Sequence, residues 1–141
     1  MIYIEEKDFN RQLELLSFLS ASIDLNICAW LYPESTATEL AGIEATNNPF
    51  SLLSVTTYEN GFSPKCTSLT PATKGTIDSF GVSCEELKEN CDSLALYKNN
   101  QSAWLAATIG HEGMCLVQDE SLLTSLTEAG FSATTTAPDW W

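Results

Sequence analysis

Between Ser93 and Ala137 the chain reads SLALY, KNNQS, AWLAATI, GHEG, MCLVQ, DESLLTSLTEAG, FSATTTA, and this succession limits how it can fold more than any other stretch. Leu94 and Leu96, then Trp104, Leu105 and Ile109, then Leu116 and Val117 lie in short apolar runs broken by Asn99-Asn100 and by Gly110 and Gly113. Short runs bounded by turn residues predict three antiparallel strands joined by hairpins. A helix follows, with both ends marked. Asp119 predicts an N-cap and Glu120 a first turn where the helix dipole favours negative charge. Gly130 predicts a left-handed ending that places Leu126 at C3 and Phe131 at C″, the apolar pair of a Schellman motif. Leu122, Leu123, Leu126 and Ala129 share one face, which predicts that the helix lies across the sheet before it.

Upstream, Ile2-Tyr3-Ile4 predicts a strand, and Asp8 predicts the cap of a helix burying Phe9, Leu13, Leu16, Ser20 and Ile23, widened by Leu15 and Leu19. Leu25 to Tyr32 reads as a strand ended by Pro33, and Glu39 to Thr46 as a short helix before an Asn47-Asn48-Pro49 turn. Ser51 to Tyr58 predicts a strand, Glu59-Asn60-Gly61 a turn, and Phe62 a further strand limited by Pro64. Thr70-Pro71 has the form of an N-cap with proline at N1, opening a helix that carries Ile77 and Phe80 and stops at Gly81. Ser83 and Glu86 form a capping box and Val82 and Leu87 a hydrophobic staple, which together predict a helix start at Cys84.

No repeat or long linker divides the 141 residues, a length that buries roughly 68% of the unfolded surface. The expected architecture is α+β: a single two-layer domain over residues 1–141 with a mostly antiparallel sheet, open to mixed pairing, and helices on one face. It ends in the β-meander, helix and strand.

The formal net charge of −13 comes from 19 acids against 6 bases, of which only Arg11 is an arginine. Phosphate backbones require clustered Lys and Arg, so a nucleic-acid partner is not expected. Anionic lipid surfaces are repelled, and the most apolar region, Leu13 to Tyr32, contains Glu14, Asp24 and Asn26, so no membrane span or membrane partner is expected. The opening MIYIEEKDF lacks the basic and long apolar parts of a secretory signal, which predicts a cytoplasmic protein. Cys28, Cys66, Cys84, Cys91 and Cys115 are odd in number and contain no C-x-x-C, and all five read as thiols.

His111 is the single histidine, which excludes zinc sites built from several imidazoles. Calcium-loop, P-loop and dinucleotide fingerprints are missing too, so neither metal nor cofactor is expected. His111-Glu112, set between Gly110 and Gly113, reads first as a solvated hairpin loop. In a catalytic reading His111 is a general base beside Glu112, with Cys115 or a serine as nucleophile. Cys115 lies in an apolar run, where a cysteine is commonly a small buried hydrophobe.

Glu85, Glu86, Glu89 and Asp92, interrupted only by Lys88 among the charges, read as a solvated helix face or as a surface for a basic partner. Trp140 and Trp141 read as folding back over a sheet edge, or alternatively as a docking or self-association element.

The leading functional expectation is a cytoplasmic acidic protein-binding module, of the kind found among immunity or antitoxin proteins that inhibit a basic toxin or nuclease. The alternatives are a small hydrolase-like enzyme using His111 with a nearby Cys, Ser or carboxylate, and a self-associating structural domain forming a homo-oligomer through its tryptophans.

Overall fold

Residues 1–47 and 65–141 are described by a computed structural model. In chain order they form β1 (Ile2–Glu5), α1 (Phe9–Ser22), β2 (Leu25–Leu31), β3 (Glu39–Leu40), β4 (Ile43–Asn47), β5 (Lys65–Thr67), β6 (Thr70–Pro71), α2 (Lys74–Val82), α3 (Cys84–Asn90), β7 (Cys91–Lys98), β8 (Trp104–Ile109), β9 (Met114–Val117), α4 (Leu123–Glu128) and β10 (Ala133–Thr134). The strands make a sheet in the order β10-β1-β9-β8-β7-β2-β5-β4-β3, with β6 also paired to β2. Every described pair is antiparallel. The expected β-meander is its centre: β7, β8 and β9 follow one another, and β1 and β2 flank them. These flanking strands run in the same direction, so their connection must cross a face of the sheet, and α1 makes that crossing.

All four helices pack on one face, as the amphipathic patterns predict. Leu13, Leu15, Leu16 and Leu19 of α1, Ile77 and Phe80 of α2, Leu87 of α3 and Leu126 of α4 share a buried cluster with Ile2, Ile4, Ile27, Leu31, Leu94 and Val117 of the strands. The alternate strand positions form a second buried cluster on the opposite face around Cys28, Trp30, Tyr97, Trp104 and Leu116. There the indole Nε1 of Trp30 donates to the Tyr97 hydroxyl at 3.1 Å, which satisfies a donor that would otherwise be buried unpaired. Among the described residues no helix is long and apolar enough to cross a membrane.

The local signals at the C-terminal end are realised in detail. Asp119 accepts from the Ser121 N–H at 3.0 Å, a 3₁₀ turn at Glu120–Leu122 leads into α4, and Gly130 takes φ 93°. The Phe131 N–H donates to the Leu126 carbonyl at 3.1 Å and the Gly130 N–H to the Thr127 carbonyl at 3.0 Å. These are the two hydrogen bonds of a Schellman motif. Phe131 packs on Phe18 of α1 with ring centroids 6.0 Å apart, under the Arg11 guanidinium.

Three local expectations are corrected. Glu39 to Thr46 is a hairpin, not a helix: Leu40 pairs with Ile43, and Ala41 and Gly42 between them take φ 51° and 76°. Positive φ at both central residues is the type I′ geometry that matches strand twist, and it terminates any helical run. The helix expected from Thr70-Pro71 starts later. Thr70 and Pro71 pair with Ile27 and Asn26 of β2, and Thr73 is the cap, its hydroxyl accepting from the Thr76 N–H at 3.2 Å. Finally, α3 does begin at Cys84, but Ser83 makes no side-chain cap bond and Val82 is 91% exposed, so the box and staple do not form. Ser83 instead closes α2 through its N–H to Ser79 while its carbonyl accepts from Leu87, so the two helices share one junction. The expected strand at Ser51 to Tyr58, the Glu59-Asn60-Gly61 turn and the strand from Phe62 lie outside the described residues.

Candidate active site

The helix α3 ends at Asn90 and β7 begins at once with Cys91, so the chain's periodicity changes from 3.6 to 2 between Glu89 and Asp92. Glu85, Glu86 and Glu89 remain exposed on the helix. Asp92 does not belong with them. It is 3% exposed, facing inward beneath the helices, which corrects its assignment to a solvated acidic surface.

A carboxylate withdrawn from water needs partners. Asp92 finds them across the meander. Its Oδ1 lies 2.6 Å from Nδ1 of His111 and also accepts the His111 backbone N–H and the Tyr32 hydroxyl, each at 3.3 Å. The turn carrying His111 is a single 3₁₀ turn, Gly110–Glu112, closed by Gly113 at φ 63°. Gly110 permits its close approach, since a Cβ there would stand 3.2 Å from the Asp92 carbonyl oxygen. The reading of Gly-His-Glu-Gly as a tight turn is therefore met, while its histidine is tied to a buried acid rather than turned wholly to solvent.

The arrangement selects a tautomer. An ionised carboxylate only accepts, so Nδ1 donates to Asp92 and Nε2 carries the free lone pair of the neutral ring. Nε2 lies 3.6 Å from Oε1 of Glu112, and the His111 side chain is 47% exposed. Burial, reinforced by the Asp92 carboxylate, pushes the Tyr32 hydroxyl up to about 12, so it stays protonated and donating.

This group opens on a cleft of about 310 Å³ where the start of α1, the end of α3 and the strand ends of β7 and β8 meet. Leu87, Leu94 and Phe9 supply apolar wall, and its polar lining includes Lys7, Lys88, His111, Tyr32, Asp92, Gln12 and Thr108. The segment bearing Lys7 is held from both sides: the Glu6 N–H donates to the Gly113 carbonyl at 2.8 Å and the buried Gln12 side chain donates to the Glu6 carbonyl at 2.6 Å. A larger groove of about 880 Å³ runs between α1 and α2, but Glu14, Lys74 and Asp78 are its charged residues, the last two paired with each other at 3.0 Å. It lacks histidine and cysteine.

Of the expected catalytic residues, the structure brings His111 and Glu112 together and leaves Cys115 out. Cys115 is fully buried in β9 and outside the cleft, and burial raises its thiol far above the ordinary range. Cys91 does line the cleft, but burial pushes it up to about 12, and it donates to the Ser93 carbonyl at 3.3 Å. Neither is an activated thiolate. Trp141 meets Tyr3 edge-on at 6.2 Å and Trp140 at 5.9 Å, folded against β1 beside the sheet edge with 39% and 53% of Trp141 and Trp140 still exposed. Lys7, Tyr32 and Lys88 were not singled out by sequence, and no local pattern marks them. No protein-family model, curated protein or solved structure matches the chain.

Proposed function

We propose that the protein is a small acid–base enzyme of hydrolase type in which His111 is the general base and Asp92 the residue that orients it. The observation that carries this reading is the 2.6 Å contact between His111 Nδ1 and a carboxylate whose side chain is 1% exposed, at the edge of an open cleft. Nε2 would take a proton from water as the water oxygen attacks the substrate's electrophilic carbon or phosphorus, Asp92 stabilising the imidazolium. The same proton then passes to the departing oxygen or nitrogen, so one water is consumed and the catalyst is restored. No side-chain nucleophile is required.

The test is hydrolysis of a panel of small esters and amides by the wild type, His111→Asn, Asp92→Asn and Cys115→Ser. The first two substitutions should lower kcat/KM by about 10² to 10⁴, the usual contribution of a positioned base. Cys115→Ser should leave it unchanged. Absence of wild-type turnover across the panel, or turnover indifferent to His111, would sink the reading.

A second reading keeps the protein as a cytoplasmic acidic module that captures a basic protein, in the manner of an immunity or antitoxin inhibitor. It is favoured by the three exposed glutamates of α3 and the net charge of −13. Pull-down from the native host at low and at high salt discriminates, and failure to recover a basic partner at low salt removes it.

A further inference from the structure

We infer that the cleft is an oxyanion site that takes a small molecule by a phosphate group, with Lys7 and Lys88 as its anchors; this rests on reading the cleft as the acid–base site. The protein carries 19 acids and 6 bases, and of these bases only Lys7 and Lys88 line the cleft that holds His111. Arg11 pairs with Glu14 and Glu6, and Lys74 with Asp78. Among the described residues Lys7, Lys65, Lys88 and Lys98 form no ion pair, and Lys7 and Lys88 line the same cleft as His111.

Their surroundings keep them available. Asp92, the acid lining the cleft, is already engaged by His111 and Tyr32. Glu6 accepts from the Asp8 N–H at 3.0 Å and faces Arg11 at 3.9 Å, and Glu112 faces the far nitrogen of His111. The glutamates of α3 do not line the cleft although Lys88 lies between them in sequence.

Lys7 is also placed rather than left to wander. It packs over Gly113, where an added Cβ would come within 2.6 Å of the Lys7 Cγ and 3.3 Å of its Cα. Two lysines lining one cleft match the dianionic charge of a phosphoryl group better than the single charge of a carboxylate. The volume, about 310 Å³, suits a ligand of small-metabolite size. In this geometry the phosphate is the handle, and the bond presented to His111 lies elsewhere in the molecule.

Binding of inorganic phosphate, followed by amide chemical shifts at constant ionic strength, tests the proposal on the wild type and on Lys7→Gln, Lys88→Gln, Lys74→Gln and His111→Asn. Loss of either cleft lysine should weaken binding about tenfold, a change of about 1.4 kcal/mol. Lys74→Gln should leave binding unchanged, and phosphate should be preferred to acetate. Equal binding by all the lysine variants, equal binding of acetate, or no shifts at high phosphate overturns the proposal. Phosphate binding that survives in His111→Asn, in a protein that hydrolyses nothing, would retain the oxyanion site and remove the enzyme. Hydrolysis of neutral esters with no phosphate binding would do the reverse.

Discussion

Asp92 and Asp119 each accept hydrogen bonds from a tight turn, Asp92 from His111, nineteen positions along the chain, and Asp119 from Ser121, two positions along. Asp119 does what its sequence neighbours require. It accepts the Ser121 N–H at 3.0 Å and the Ser121 hydroxyl at 2.6 Å, both from a residue two positions along. Asp92 has no partners until the strands are side by side, because its partners arrive from Tyr32 on one side and from the 110–112 turn on the other. The glycines closing the two turns differ in the same way. Gly130 needs only its φ of 93° and has open space around it, whereas Gly113, at φ 63°, also has Lys7 against it. One turn ends an element; the other joins three parts of the fold and holds the histidine against a buried acid.

The largest effect should follow from Asp92→Ala. It strips the acceptor from the Tyr32 hydroxyl and from both donors of His111 at a position 3% exposed, so unfolding free energy in urea should fall by about 3 kcal/mol. If it fell no further than in Asp119→Ala, the distinction between the two aspartates would be void. Gly113→Ala comes next, at about 2 kcal/mol, because the left-handed conformation costs any L side chain and the new methyl must also displace Lys7. Gly130→Ala should cost about 1 kcal/mol, the conformational part alone. Equal losses at the two glycines would show that Lys7 yields freely.

The same contrast governs what was legible in the sequence. The meander, α1 and the Schellman end of α4 are encoded by residues within a few positions of each other, and Asp8, Asp119, Leu126 and Gly130 perform the expected tasks. Misreading came where a neighbour in space outranked a neighbour in sequence. Pro71 looked like a helix start, but pairing with Asn26 held it in a strand. Val82 looked like half of a staple, yet the junction with α2 turned it to solvent. Asp92 followed Glu85, Glu86 and Glu89 and was counted with them, because helical spacing extends smoothly past the point where β7 begins. His111 was visible as the single histidine, but nothing local names its partner.

Asp119→Ala should cost about 1 kcal/mol at neutral pH, the usual worth of an N-cap. The hydrogen bonds from Ser121 hold its carboxyl below the ordinary value of 3.8, so the native state binds the proton less tightly than the unfolded chain does. Its contribution is complete above about pH 4 and lost as the pH falls through the native value. Unfolding curves of the two proteins should therefore converge in acid. A gap that persists at pH 2 would mean that the cap bond does not depend on charge.

The smallest effect tests whether Asp92 serves Tyr32 as well as His111. Tyr32 is raised from 10.0 to about 12, first by burial and then by the Asp92 carboxylate. The native protein holds this proton where the unfolded chain releases it, so the linked stability is whole below pH 10 and drains away between 10 and 12. Cys91, also raised to about 12, adds a parallel loss in any variant that keeps it, and cancels when wild type is compared with Tyr32→Phe. The stability difference between those two proteins should shrink from pH 9 to pH 11, modestly because much of the Tyr32 ring still meets solvent. A difference that stays flat would leave Asp92 bonded to the His111 turn alone. It would then differ from Asp119 in burial and in sequence separation, but not in the number of elements it joins.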